Sequence, residues 1–261
     1  MPKQETVAIG SPCWVDLGTS DIAKAKDFYG TLFGWTAMDT GDDFGNYRIV
    51  SKDGVPVGGM MQMTGEQADQ PSAWTIYFGV EDAAATIGKV TAAGGQSLFE
   101  PIAVGDLGTM GILFDTTGSA VGIWQPDTFN GFGVWGEHGA PCWFELLTRD
   151  IEGASTFYST VFGPEVVEMD TGEDDFAYRT LNVDGQEKAG LYDVTGVLPD
   201  EVPPHWSVYF GVDDIDGAVR SVEEQGGQVI TPIADSPYGR WATVTDPMGA
   251  AFVITSVQPA G

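Results

Sequence analysis

The first apolar segment of the chain alternates with polar positions, which predicts a β-strand with one buried face. It reads CWVDLGT and covers residues 13–19. Asp21 follows, and apolar residues then recur at three- and four-residue spacing as far as Gly34. This pattern predicts a helix that Ser20 or Asp21 caps and that Gly34 ends. Three further strands are predicted near residues 35–40, 46–52 and 55–63.

The same order of elements restarts in the next part of the chain. The segment WTIYFGV at residues 74–80 predicts a strand, and residues 82–93 predict a helix that ends before Gly94. Short strands are predicted near residues 96–103, 108–114 and 119–125. Each quarter of the chain therefore has the predicted order β-α-β-β-β.

The second half of the chain repeats the first. The segment PCWVDLGTSDIAKAKDFYGTLFG at residues 12–34 aligns without gaps with PCWFELLTRDIEGASTFYSTVFG at residues 141–163, and 13 of these 23 positions are identical. Later segments repeat as well, for example WTIYFGVED and WSVYFGVDD. We therefore predict two homologous domains, residues 1–130 and 131–261, joined by a glycine-rich stretch near residues 127–139.

Composition and charge narrow the classes of partner. The chain has 261 residues with 11 Lys and Arg against 38 Asp and Glu, a formal charge of −27. A surface this negative repels phosphate backbones and anionic lipids, so we expect neither nucleic acid nor a membrane as partner. The N-terminal MPKQETVAIG lacks the apolar core of a signal peptide, and we expect a cytoplasmic protein. Cys13 and Cys142 are repeat-equivalent and are expected to be buried thiols.

The repeated motifs resemble a known family. The helix motifs TSDIAKAKDFYGTLFG and TRDIEGASTFYSTVFG, and the later turns DTTG and DPMG before the last strand of each half, are similar to the vicinal oxygen chelate superfamily. That superfamily includes glyoxalase I, bleomycin-resistance and fosfomycin-resistance proteins, and extradiol dioxygenases. The tandem arrangement is most similar to actinobacterial glyoxalase-like proteins often described as hydroxylases. The resemblance implies an α+β fold in which four tandem βαβββ units form two glyoxalase-like β-cup domains, with one ligand cup per half.

Metal-using members of this superfamily place His and Glu side chains inside the cup. The resemblance puts those positions at residues that are poor or impossible ligands: Trp14 and Trp143, Thr75 and Ser207, Gly122 and Val253. The chain has two histidines, and neither falls on the pattern. We therefore predict no metal cofactor. A relic divalent-metal site at Glu145 and His205 stays open as an alternative.

Tryptophans at repeat-equivalent strand positions are the first candidates for ligand binding. These are Trp14, Trp74, Trp143 and Trp206, which we expect on the cup floors, with Trp35, Trp124 and Trp241 on the walls. Flat aromatic or apolar molecules would suit such a cup. The alternative is that these rings only pack the sheet against its helix.

Charged residues in the same strands are candidates for orienting a ligand. Asp16 and Glu145 lie two residues after Trp14 and Trp143, so each acid shares a strand face with a tryptophan. Arg48 and its repeat equivalent Arg179 are candidates for binding a carboxylate or phenolate, or else form cross-strand salt bridges with acidic neighbours. His205 and Arg240 occur only in the second half, and we expect the second cup to be the more polar of the two.

These observations give two functional hypotheses. The first is metal-independent binding of a small aromatic or apolar metabolite or antibiotic, sequestered or presented by a monomer or homodimer. The alternative is an enzyme of the same superfamily: a lyase, isomerase or dioxygenase-like enzyme with a metal, or a cofactor-free acid–base catalyst. In the latter case Asp16 or Glu145 beside a tryptophan wall would be the catalytic residue, because an apolar environment raises a carboxyl pKa.

Overall fold

Two large curled β-sheets, one from each half of the chain, form the protein. The computed structural model describes residues 8–41, 47–170 and 177–257. The first half contains β1 (Pro12–Thr19), α1 (Ile22–Phe33), β2 (Thr36–Asp39), β3 (Arg48–Lys52), β4 (Val55–Gln62), a short 3-10 helix (Gly65–Gln67), β5 (Ala73–Gly79), α2 (Ala83–Ala92), β6 (Gln96–Ser97), β7 (Ile102–Val104), β8 (Gly108–Phe114) and β9 (Ala120–Pro126). The second half contains β10 (Pro141–Thr148), α3 (Ile151–Phe162), β11 (Glu165–Glu168), β12 (Tyr178–Val183), β13 (Gln186–Asp193), β14 (His205–Val212), α4 (Ile215–Glu224), β15 (Gln228–Ser236), β16 (Gly239–Thr245) and β17 (Ala251–Ser256).

The strand order shows how the βαβββ units combine. The first sheet has the order β2-β3-β4-β1-β5-β9-β8-β6, with β7 beside β8, and the second has the order β11-β12-β13-β10-β14-β17-β16-β15. In each sheet the opening strands of the two units pair antiparallel at the centre. Each half therefore closes into its own cup, which confirms the predicted fold. The domain limits stay a prediction, and their outer ends, residues 1–7 and 258–261, lie outside the described residues.

The helix ends follow the sequence signals. Asp21 accepts a hydrogen bond from the amide of Lys24 at the start of α1, and Gly34 ends the helix with a φ of 70°. Asp150 and Gly163 do the same for α3, where the glycine has a φ of 83°. Glycine adopts this left-handed conformation without steric cost, which explains its position after both helices.

The first helix of each half packs against the sheet of the other half. Phe33 of α1 lies 5.2 Å from Phe210 of β14, and Phe162 of α3 lies 4.8 Å from the equivalent Phe78 of β5, measured between ring centroids. The buried residues of both halves form one hydrophobic cluster. The two cups are therefore held together by a shared core, and they open on the sheet faces that the helices do not cover.

Strand register assigns each side chain to one of these faces, because directly opposite residues on neighbouring strands point the same way. Asp16 lies opposite Thr75 on β5 and opposite Gly59 on β4, and these positions line the first cup. Leu17 is fully buried and lies opposite Trp74, on the helix-covered face. The second sheet repeats the arrangement with Glu145 opposite Ser207 and Gly190.

Two further expectations concern thiols and membranes. Cys13 is buried and Cys142 half-buried, and both are free thiols. Burial raises the pKa of both, that of Cys142 to about 12, so neither is an activated thiolate. Within residues 8–41, 47–170 and 177–257, no helix has the length and apolar character needed to cross a membrane.

Candidate functional site

A half-buried acid surrounded by tyrosine and tryptophan lies at the centre of the first cup. The indole Nε1 of Trp14 donates hydrogen bonds to Oδ1 of Asp16 and to the hydroxyl of Tyr47, both at 2.8 Å. Tyr47 and Tyr77 both donate to Asp16. Loss of solvent outweighs these hydrogen bonds and raises the pKa of Asp16 to about 6.

The second cup repeats this cluster with a longer acid. The hydroxyl of Tyr209 donates to Oε2 of Glu145 at 2.7 Å, and Trp143 Nε1 donates to the hydroxyl of Tyr178 at 2.8 Å. Tyr178 also hydrogen-bonds Glu145. Glu145 is 8% exposed, and burial raises its pKa above the usual value. Each of these two clusters therefore contains one carboxyl group, two phenols and one indole N–H.

Glycines on the neighbouring strand make room for these clusters. A Cβ atom on Gly59 would lie 1.7 Å from the Tyr47 hydroxyl, and one on Gly190 would lie 1.9 Å from the Tyr178 hydroxyl. Because Gly59 lies opposite Asp16 and Gly190 opposite Glu145, each phenol lies over the glycine to reach the acid. The glycines are therefore part of the site, since they permit a close approach to the strand backbone.

The four tyrosines of these clusters were not among the site residues predicted from the sequence. Tyr47 and Tyr178 directly precede the arginines that it selected, and Tyr77 and Tyr209 stand in the repeated segments WTIYFGV and WSVYFGV. Two features of the sequence could have identified them: their alternating positions on the strands and their repetition in both halves. Trp14 lies opposite Tyr77, and Trp143 lies opposite Tyr209, so each tyrosine shares its face with a tryptophan already chosen.

The predicted placement of Trp74 and Trp206 on the cup floors is wrong. Trp74 lies opposite Leu17, and Trp206 lies opposite Leu146, on the helix-covered faces. Their indoles donate to buried helix tyrosines, Trp74 to Tyr29 at 3.1 Å and Trp206 to its repeat equivalent at 2.7 Å. A residue one position away from a cup residue on a strand points to the opposite face. Both rings pack the sheets against the helices. The expectation that Trp35 lies on a cup wall is also wrong, because its ring is buried against Tyr29 in the core and its indole donates to the carbonyl of Gly139 at 2.6 Å.

The three arginines also lie outside the cups, because strand register places them on the helix-covered faces of the sheets. Arg48 forms an ion pair with Asp39 at 2.8 Å on the adjacent strand β2. Arg179 donates to Ser155 at 2.9 Å and pairs with Glu152, both on α3. Arg240 pairs with Asp216 of α4 at 2.6 Å. The predicted position of these arginines inside a cup is wrong, and their role toward a ligand stays a prediction. The cross-strand salt-bridge alternative describes Arg48, whereas Arg179 pairs with a helix residue.

Two residues of the second half do lie on its cup face. Trp241 lies opposite Thr255, and Thr255 shares its strand face with Val253, which lies opposite Tyr209. Trp241 is therefore on the cup wall, where it is half-buried. His205 lies opposite Leu147 at the end of β14, with Nδ1 at 2.8 Å from the carbonyl oxygen of Pro203. Trp14, Asp16, Trp143 and Glu145 occupy the cup faces as predicted; their roles toward a ligand stay predictions.

The donor atoms in the cups do not fit a divalent metal ion. A protein site for such an ion needs about three or four nitrogen, oxygen or sulfur ligands. Among the residues that the structure describes, no group of three or more His, Cys, Asp or Glu side chains could hold a metal. The carboxyl of Glu145 accepts hydrogen bonds from Tyr178 and Tyr209, and its raised pKa makes it a poor anion. This geometry does not support the relic site at Glu145 and His205.

Outside the cups, an open cavity of about 310 Å³ lies between α3 and the edge of the second sheet. Its lining is mostly polar: Ser155, Thr156, Ser159, Val166, Glu168 and Arg179. Because the guanidinium of Arg179 is engaged by Glu152 and Ser155, this cavity has no free cation to attract an anion.

Comparison with known proteins agrees with the two-cup architecture. The family model described as "Glyoxalase/Bleomycin resistance protein/Dioxygenase superfamily" matches residues 12–123 and 142–254. The chain is 37% identical to "Putative glyoxylase CFP32" of Mycobacterium tuberculosis, over 99% of both chains. It is 35% identical to "Anthracycline biosynthesis protein DnrV" of Streptomyces peucetius, over 96% of this chain and 94% of the relative.

A solved structure shares the fold. The Mn(II)-bound glyoxalase from Novosphingobium aromaticivorans superposes with a TM-score of 0.67 at 17% identity, covering 95% of this chain and 82% of the other. The repeated sequence motifs, the two cups and the family match lead to the same assignment. The chain belongs to the glyoxalase, bleomycin-resistance protein and dioxygenase superfamily.

Proposed function

We propose that the protein binds a small planar aromatic molecule in its second cup without a metal ion. The observation that carries this proposal is the cluster of Trp143, Glu145, Tyr178 and Tyr209, which offers an aromatic surface and a few placed polar groups on a concave sheet face. Pockets of this composition hold flat apolar ligands and fix their orientation through the polar groups.

The negative charge of the chain and the half-buried residues of the second cup support an uncharged or weakly basic ligand that carries hydroxyl groups. A formal charge of −27 disfavours anions. Trp143, Tyr209 and Trp241 are half-buried, so each has surface left for contact. Hydroxyl groups on a ligand ring could donate to Glu145 or accept from the tyrosines, as the tyrosines and acid already do with one another.

The name of one relative supports a chemical class for this ligand. DnrV, 35% identical over nearly the full length, is an anthracycline biosynthesis protein. Anthracyclines contain fused, flat, hydroxylated rings, which match the indole-lined cup. We therefore propose a hydroxylated polycyclic aromatic molecule of this kind as the ligand.

Titration with alizarin, a dihydroxyanthraquinone, tests the proposal. The experiment follows quenching of tryptophan fluorescence in protein purified with and without a strong chelator. We expect saturable binding that the chelator leaves unchanged and that Trp143→Ala weakens at least tenfold, because the ligand loses its contact with the indole ring. Binding that requires an added metal, or that is equally tight in Trp143→Ala, would contradict the proposal.

A second candidate function is cofactor-free proton transfer in the same cup. The observation in its favour is the raised pKa of the buried Glu145, and of Asp16 in the other cup, since a general acid or base works best with a pKa near the working pH. The relative CFP32 carries the name of an enzyme, a putative glyoxylase.

Anthrone distinguishes the two functions, because it is planar and has an acidic CH2 group beside its aromatic rings. In D2O, a catalytic Glu145 takes a proton from this carbon, the electron pair moves to the carbonyl oxygen, and deuterium returns to the carbon. Proton NMR then shows loss of the methylene signal faster with the wild type than with Glu145→Gln. Equal exchange rates for the two proteins would leave binding as the function.

A further inference from the structure

The glycine-rich linker between the halves runs across one end of the first cup on a fixed path. The amide of Phe132 donates to the carbonyl of Cys13 on β1 at 3.0 Å, and the amide of Gly133 donates to the carbonyl of Pro56 on β4 at 2.9 Å. Gly131 has a φ of 82°, and a Cβ there would lie 2.1 Å from the Cys13 carbonyl oxygen. Two backbone hydrogen bonds and one close glycine contact therefore fix the backbone of the linker to the rim of the cup.

This path places the phenyl ring of Phe129 against both tryptophans of the first cup. Its centroid lies 4.8 Å from that of Trp14 at an interplanar angle of 89°, and 6.1 Å from that of Trp124 at 82°. The indole Nε1 of Trp124 donates to the carbonyl of Phe129 at 2.9 Å, which holds the residue in place. Edge-to-face contacts at these distances are favourable for aromatic pairs.

Equivalent residues are more buried in the first cup, which the linker crosses, than in the second. Trp14, Tyr77 and Trp124 are 5%, 5% and 8% exposed. Their counterparts in the second cup, Trp143, Tyr209 and Thr255, are all half-buried. Within the described part of the chain, Trp143 makes no contact with another aromatic ring, and its indole N–H is bound to Tyr178.

We propose that Phe129 takes in the first cup the place that an aromatic ring of the ligand takes in the second. The protein then has one open site, in the second cup, and one latent site of the same ligand class, closed by its own linker. This inference rests on the proposed function and deepens it. It also gives a binding geometry: a ring of the ligand meets Trp143 edge to face, as Phe129 meets Trp14.

The second cup differs from the first in one further position that suits a ligand's polar substituent. Thr180 lies opposite Gly190, which on its other side lies opposite Glu145, so Thr180 shares the cup face with this acid. Its Oγ1 is buried with no hydrogen-bond partner among the described residues. The corresponding residue of the first cup is Ile49, opposite Gly59. A buried hydroxyl without a partner is costly, and a ligand hydroxyl that reaches it would remove that cost.

Titration with alizarin and NMR of the indole N–H groups test the inference in the intact protein. We expect the wild type to bind one equivalent, with a shift of the Trp143 indole resonance and none for Trp14. Phe129→Ala should bind two equivalents, with the Trp14 resonance now shifting as well. Phe129→Leu is the matched control, because a leucine side chain still fills the gap beside Trp14, and it should behave as the wild type.

Each other outcome has a distinct meaning. A shift of the Trp14 resonance in the wild type, or a folded Phe129→Ala variant that binds a single equivalent, would overturn the inference while leaving the proposed function intact. If neither protein binds alizarin, the proposed function fails, and the inference fails with it. If Phe129→Ala does not fold, the comparison of Trp14 with Trp143 in the wild type still decides between the two cups.

Discussion

The hydroxyl of Tyr29, in the first half of the chain, donates a hydrogen bond at 3.2 Å to Oδ2 of Asp246, which lies 217 residues further along in the second half. The repeat-equivalent pair reverses the direction: Tyr158 of the second half donates to Asp115 of the first at 2.9 Å. All four side chains are buried or nearly so. These bonds tie the helix of each half to a turn of the other, so the repeated FY helix motif stabilises the contact between the halves.

Removing the Tyr29 hydroxyl should destabilise this contact. In Tyr29→Phe the indole N–H of Trp74, which donates to that hydroxyl at 3.1 Å, loses its acceptor inside the core. An unsatisfied buried donor costs about 1–3 kcal/mol, and we expect that loss in the free energy of unfolding by denaturant titration. Tyr238→Phe is the matched control, because that side chain is 81% exposed, and it should unfold as the wild type does. Equal midpoints for both variants would contradict the role of Tyr29.

The raised pKa of Asp16 predicts a specific dependence of stability on pH. Its folded pKa is about 6 against an ordinary value of 3.8, so in this window the folded state binds more protons than the unfolded state. The free energy of unfolding therefore falls as pH rises from about 4 to about 6, and the effect of this group is constant above that. Asp16→Asn removes the titration.

We therefore expect Asp16→Asn to gain stability relative to the wild type between about pH 4 and pH 6, by roughly 1–2 kcal/mol, because Asp16 is only partly shielded from solvent. Thermal unfolding of both proteins across this range measures the difference, and the large background charge cancels in the comparison. A difference that stays constant from about pH 4 to pH 7 would show that Asp16 has an ordinary pKa.

Two charged residues of the second half should differ in their effect on ligand binding. Glu145→Ala removes the acid of the second cup and should weaken alizarin binding more than tenfold, about 1.4 kcal/mol. Arg240→Ala should leave binding unchanged, because Arg240 pairs with Asp216 of α4 on the helix-covered face of the sheet. Asp16→Ala should have a smaller effect than Glu145→Ala, since Asp16 lies in the cup that the linker covers. Isothermal titration calorimetry measures all three, and a larger loss from Asp16→Ala would place the site in the first cup.

The fold could be predicted from the sequence because the βαβββ pattern occurs four times along the chain. The capped helices, the glycines that end them and the alternating strands recur in the same order. Where the pattern of one segment is ambiguous, the equivalent segments in the other units show which element it forms. The face of Asp16 and Glu145 was also correctly predicted, because residues two apart on a regular strand share a face.

The sequence was insufficient where placement depends on pairing between strands. Trp74 lies one position off the cup face, and nothing within WTIYFGV alone indicates whether the tryptophan or the tyrosine faces inward. Arg179 was assigned inward from its charge and repetition, although its partners Glu152 and Ser155 lie on a helix that precedes it by more than twenty residues. The closure of the first cup by Phe129 depends on the course of a linker, which periodicity does not describe.

The glycines opposite the acids give the sharpest comparison between the two cups. A methyl group on Gly190 would lie 1.9 Å from the Tyr178 hydroxyl, so in Gly190→Ala the phenol has to leave Glu145 and Trp143. We expect this variant to bind alizarin at least tenfold more weakly. Its free energy of unfolding should fall by about 1–3 kcal/mol, because the cup becomes overpacked. Gly59→Ala makes the equivalent clash with Tyr47 in the first cup and should cost similar stability while leaving binding unchanged.

A third glycine provides the control for the substitution itself. Gly88 lies inside α2, and a Cβ there would meet nothing within 4 Å. Because alanine is the better helix former, Gly88→Ala should raise the free energy of unfolding by about 0.5–1 kcal/mol and leave binding as it is. Denaturant unfolding and alizarin titration of the three variants therefore separate strain from ligand contact. If Gly59→Ala weakened binding as much as Gly190→Ala, the ligand would occupy both cups and the linker would not close the first.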